Sequence, residues 1–126
     1  MSPLAVDVVG DALRPELVER ACALAAATAG VHDGHVAVSF VEGPAIAALN
    51  EQHRGKPGPT DVLSFPVDGD GPIAGERELG DVVICPEHTE DLNEAVVHGV
   101  LHLCGYDHES DDGEMLSLQR RVLEEL

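Results

Sequence analysis

An α+β domain, built on a small mixed four-stranded sheet packed with helices in the order βαβαββαα, is the fold this sequence predicts. Three observations carry it. Short β-branched segments alternate with helical patterns, and the last two helical patterns follow one another with no strand between them. One apolar run, Val82-Val83-Ile84, is unbroken, as in a central strand covered on both faces. The 126 residues fit one domain, 1–126, and are enough to bury a core without disulfide or metal staples.

Taken in order, Leu4 to Val9 alternates weakly and reads as the first strand, closed by Gly10-Asp11. Pro15 opens PELVERACALAAATAG, where Leu17, Val18, Ala21, Leu24 and Ala25 recur at helical spacing and Gly30 supplies the stop. HVAVSFVE alternates at Val36, Val38 and Phe40, giving a second strand, and Pro44 leads into a short second helix, AIAALNEQH. Two prolines and two glycines make RGKPGPT a loop without regular structure. DVLSF is a third strand, residues 67–79 an exposed hairpin or loop, and GDVVIC the fourth, central strand. After Pro86, Thr89 or Asp91 caps a helix running through Cys104. Met115, Leu118, Val122 and Leu123 mark a last amphipathic helix.

Net charge is −17, from 24 acidic and 7 basic residues, so the chain repels polyanions and a nucleic-acid substrate requires a local exception. Cys22, Cys85 and Cys104 are odd in number and lack CxxC spacing, which suits small core residues in a reducing cytoplasm. The N-terminus has no basic start followed by a long apolar run, and no stretch approaches the ~20 apolar residues of a membrane span. The expectation is a soluble cytoplasmic protein that makes no membrane contact.

The chemistry concentrates in HGVLHLCGYDH, residues 98–108. On a helix, His98 and His102 stand one turn apart, about 40° from each other with Cβ atoms ~6 Å apart, and two such imidazoles can share one ion. Gly105 falls where a helix ends in left-handed geometry, so His108 can return toward the pair. Three neutral nitrogen ligands leave a fourth position open, the catalytic form of a zinc site. A histidine pair at this spacing is also common on an exposed helix face; the third histidine beyond a well-placed glycine tips the balance toward metal. Asp107 and Glu109 are both near enough to orient an imidazole. Cys104 lies on the apolar side of the helix and reads as core, whereas Tyr106 serves equally as a substrate donor or a cover for the turn. His32, His35 and His88 read as surface histidines.

In metallopeptidases with this spacing, glutamate follows the first histidine and moves protons between water and the leaving amine. Gly99 stands there instead and cannot do so. Cleavage of a phosphodiester asks chiefly for charge stabilisation on phosphoryl oxygens, which an arginine's planar fork of donors supplies. Arg54 and Lys56, the only lysine, lie in a window from Gln52 to Thr60 that contains no acid. That window is the local exception the net charge demands. Arg120 and Arg121, beside Glu124 and Glu125, read as a solvated face.

Three segments in this order, LNEQHRGKPGPTDVLSFP, LGDVVICPE, and HGVLHLCGYDH followed by Glu109, resemble the YbeY family of metal-dependent endoribonucleases, from about Val36 onward. The resemblance implies a zincin-like domain in which His98, His102 and His108 hold one zinc ion and Arg54 is the catalytic cation facing it. It also implies single-strand-specific RNA cleavage, a role in forming the 3′ end of 16S ribosomal RNA, and a part in ribosome quality control. A small-subunit ribosomal protein is the expected partner, since a chain of this charge should bind free RNA weakly. The stretch from Pro86 to His98 is shorter than is usual in the family, so the motif helix should start late and one wall of the cleft should be reduced. Two other readings stand beside this one. A metallopeptidase would need a carboxylate from elsewhere, such as Asp61, and an edge strand to bind extended peptide. A ribosome-assembly factor would use the metal mainly to fix the fold near Gly105.

Overall fold

Alternation along the strands divides the interior in two. In the computed structural model, which describes residues 4–68, 75–107 and 111–126, the elements follow the predicted order. They are β1 (Ala5–Val9), α1 (Pro15–Thr28), β2 (His35–Phe40), α2 (Gly43–Arg54), β3 (Val62–Pro66), β4 (Glu78–Ile84), a 3-10 turn (Pro86–His88), α3 (Leu92–Leu103) and α4 (Glu114–Glu125). The sheet runs β1-β2-β4-β3, with β1, β2 and β4 parallel and β3 antiparallel to β4. Strand β4 is therefore internal, as its unbroken apolar run requires. The centre of the 67–79 loop, together with His108 and Glu109, lies outside the described residues.

On one face of the sheet Val36, Val38, Val82 and Ile84 pack with Ala21, Cys22 and Ala25 of α1, Val96, Val100 and Leu103 of α3, and Met115 and Val122 of α4. On the other face Val83 and Cys85 meet Leu63 of β3 and Ile46 of α2, a separate and much smaller cluster. Val82 and Val83 are neighbours in sequence, yet they belong to different cores because successive strand side chains point to opposite faces. All three cysteines are buried. Burial, with Glu19 nearby, pushes the Cys22 thiol up to about 12, so it behaves as a small core side chain.

His35, expected to be an ordinary surface histidine, ties three strands together. Its Nδ1 lies 2.6 Å from Glu78 Oε2 on β4 and its Nε2 lies 2.7 Å from Asp7 Oδ2 on β1. Both ring nitrogens can donate only when the imidazole is cationic. The hydrogen bond to Asp7, then that to Glu78, raises its pKa above the ordinary 6.5. A raised pKa means the folded state holds the proton more tightly than the unfolded chain. The stabilisation is thus complete below the unfolded value and disappears as pH rises through the folded one. The expected outcome is a melting temperature that falls as pH is raised from about 6 to about 9, with a smaller slope in His35→Gln. Partial exposure of the three side chains keeps the effect modest. Equal slopes in the two proteins would show that the cluster contributes nothing.

Candidate active site

Helix α3 starts where Asp91 caps it, the carboxylate accepting the backbone N–H of Glu94 at 3.1 Å. It ends in a Schellman turn: Gly105 N–H donates to His102 O and Tyr106 N–H to Leu101 O, with Gly105 at φ 101°. Between these ends His98 and His102 stand one turn apart, ring centroids 4.8 Å from each other and ring planes inclined at 76°. Cys104 is buried in the main core, as its place on the helix predicts.

Both imidazoles open onto a cleft of about 1020 Å³. Arg54, at the end of α2, lines the same cleft, so the cation and the histidine pair, 44 residues apart in the chain, meet at one site. Lys56 is not among the lining residues. Strand β3 is an edge strand, and Val62 and Ser64 form the cleft border between Arg54 and α3. The wall N-terminal to the motif consists of His88, Thr89, Glu90 and Asp91, the short link from the 3-10 turn into α3. Helix α3 thus begins at Leu92, and His88, exposed as expected, borders the cleft.

The cleft is otherwise acidic. Asp61, Glu90, Asp91, Glu94 and Asp107 share the lining with the single guanidinium. Two of these acids have structural duties. Asp91 caps α3, and Asp61 Oδ1 accepts the N–H of Val62 at 2.9 Å and the hydroxyl of Thr60 at 3.3 Å, fixing the entry to β3.

Arg54 is placed by contacts that its own exposed side chain does not make. The helix start is held by Glu87, whose Oε1 accepts the N–H of Gly43 at 3.1 Å. At the other end His53 packs edge-on against Phe65 of β3, ring centroids 4.9 Å apart. Asn50, 4% exposed, donates from Nδ2 to Gly58 O at 3.0 Å and staples the loop that follows Arg54. Sequence reasoning passed over Asn50, although its place one turn beyond Ile46 marks it as the polar member of the buried face of α2.

Gly99 has a second role beyond lacking a carboxylate. A Cβ built there would lie 2.4 Å from Val82 Cγ1, so position 99 faces β4, and its carbonyl accepts the Ser64 hydroxyl at 3.3 Å. A glutamate at this position would have to start inside the space of Val82.

The described fold and cleft are those of an α+β domain that presents two helical histidines and an arginine on one open surface. The family model for endoribonuclease YbeY matches residues 10–126, and the chain belongs to that family. It is 44% identical to the endoribonuclease YbeY of Rubrobacter xylanophilus, with 91% of this chain and 87% of the relative covered. It is 38% identical to that of Clavibacter sepedonicus, with 85% and 83% covered. The solution structure of TM1509 from Thermotoga maritima superposes with a TM-score of 0.59 at 30% identity, covering 95% of this chain and 87% of that one.

The Gly99–Val82 contact makes a specific demand on stability. Gly99→Ala should destabilise the protein by about 1–3 kcal/mol through overpacking. Val82→Ala should recover part of that loss, so the double variant should be more stable than the sum of the single changes. Additive effects in urea denaturation would mean that the two positions do not meet.

Proposed function

We propose that this chain is a metal-dependent endoribonuclease that cuts single-stranded RNA, acting on the 3′ end of 16S ribosomal RNA and in ribosome quality control. One zinc ion would be held by His98, His102 and His108. The observation that carries this reading is the shared cleft of Arg54 and the histidine pair. The donor set fits the ion, since two imidazoles one helical turn apart present borderline-soft nitrogens at separable angles. When bound, the metal would supply Lewis-acid polarisation at a phosphoryl oxygen.

The chain's own residues supply the rest. Arg54 offers planar, permanently charged donors to phosphate oxygens, and its favourable interaction grows as negative charge develops on them. The border made by β3 and the wall from His88 to Asp91 confine the substrate to an open groove, which suits an unpaired strand better than a duplex. The surrounding carboxylates oppose a polyanion, so binding relies on few cationic contacts. A basic partner such as a small-subunit ribosomal protein would present the RNA and offset the repulsion.

A metallopeptidase finds less support. Position 99 faces the sheet, and the Asp61 carboxylate is engaged at the entry to β3. The β3 edge beside the cleft is the feature that favours it.

The deciding measurement is metal content together with cleavage of single-stranded RNA and of unstructured protein, in wild type, His102→Ala and Arg54→Ala. His102→Ala should lose metal and RNA cleavage together. Arg54→Ala should retain metal while RNA cleavage falls by about 10²–10³-fold. Unchanged RNA cleavage in both variants, or cleavage of protein in preference to RNA, would overturn the reading. Free RNA should bind weakly, losing affinity with salt along a shallow slope, with log K against log salt no steeper than about −1.4 for two phosphate contacts. Tight, salt-insensitive binding would contradict the electrostatics of the cleft.

A further inference from the structure

Helix α4 buries Met115, Gln119 and Val122, positions spaced four and three apart on one face. The middle place on an otherwise apolar stripe is thus held by a primary amide, only 8% exposed. Burying an amide is unfavourable unless it is hydrogen-bonded, and Gln119 Oε1 lies 2.8 Å from His98 Nδ1. A carbonyl oxygen only accepts, so this arrangement calls for the proton on Nδ1. In a neutral imidazole the lone pair is then on Nε2, the other ring nitrogen.

We propose that Gln119 is a positioning residue that fixes His98 in the Nδ1–H tautomer and thereby makes Nε2 the nitrogen that ligates metal. This rests on the metal reading above. Two observations support it, the first of them independent of that reading. The packing of Met115 and Val122 against the main core holds the turn of α4 from which Gln119 reaches His98, so the contact does not depend on a freely rotating surface side chain. The acceptor is also a neutral amide, and the cleft onto which His98 opens already contains Asp61, Glu94 and Asp107. An amide orients the imidazole without adding another negative charge beside a phosphate substrate, and without favouring a second proton on the ring.

The orienting group that the structure gives His98 is Gln119, which motif spacing did not single out. Asp107 lines the cleft, and Glu109 lies outside the described residues. The signal in the sequence was periodicity: Gln119 stands one turn beyond Met115 and three residues before Val122, where an apolar residue is expected.

The experiment compares the imidazole nitrogen chemical shifts of His98 in metal-free wild type, Gln119→Leu and Gln119→Glu, at alkaline pH where the ring is neutral. Zinc affinity is measured alongside by competition with a chelator. Wild type should show the proton on Nδ1. Gln119→Leu should lose that preference and bind zinc about 10–100-fold more weakly. Gln119→Glu keeps an acceptor oxygen and should restore the tautomer, which a role confined to packing would not do. The proposal is overturned if wild-type His98 carries its proton on Nε2, a measurement that decides the matter even if Gln119→Leu does not fold. It is equally overturned if Gln119→Leu retains the Nδ1 proton. Wild type with the expected tautomer but no zinc binding would refute the metal reading while supporting control of the tautomer by Gln119.

Discussion

The close approach of α3 to β4 at Gly99 and Val82 sets the geometry on which the rest of the site depends. Because position 99 lacks a side chain, the helix can settle against the strand at a distance that even a methyl group would prevent. That seat fixes the rotation of α3 about its axis. With Gly99 turned to the sheet and Val96, Val100 and Leu103 in the core, His98 and His102 are left facing the cleft. A glutamate at 99 would therefore do more than add a base: it would push away the helix that carries the proposed ligands. Packing and chemistry exclude the same side chain for different reasons.

The site is assembled from both faces of the sheet. The histidines belong to the main core through α3 and are supported from behind by α4, where Gln119 meets His98. Arg54 comes from α2 on the other face, at the end of a helix whose last turn wraps toward the edge of β3. The edge position of β3 permits this, because its outer side is unpaired and Arg54 shares the cleft lining with Val62 and Ser64 of that strand. The acidic lining then makes the single guanidinium the main attraction for a phosphate. On the proposed reading, strong general affinity for RNA is given up, and selectivity depends on how a substrate is delivered.

Much of this was legible in the sequence because the relevant signals are local. Period-2 and period-3.6 patterns, with Pro and Gly as breaks, gave the order of the strands and main helices, and the unbroken Val82-Val83-Ile84 run identified the strand with two covered faces. That strand begins at Glu78, two residues inside the expected 67–79 loop, because Leu79 is buried in the core. His98, His102 and Gly105 could be placed on one helix and its terminal turn by spacing alone. The family motifs then pointed to Arg54, which the structure brings to the same cleft. What could not be read depends on contacts between distant segments. Nothing near Gln119 points to His98, and nothing near Gly99 points to Val82. His35 has no local feature that announces carboxylates from β1 and β4 on either side of its ring. Those relations arise only when strand order and helix rotation are known.

The unequal size of the two cores divides the proposed reaction centre into parts with different physical character. The histidine side rests on a broad aliphatic interior, held by non-directional apolar burial. The arginine side rests on Ile46, Leu63, Val83 and Cys85, supplemented by the Glu87 carboxylate, the His53–Phe65 ring contact and the Asn50 staple. Such directional contacts loosen at lower energy than a buried interior does. Loss of order in α2 would carry Arg54 away and leave the histidine pair intact. On the proposed reading, the half that would hold the ion is the more durable and the half that would meet the substrate is the more easily released.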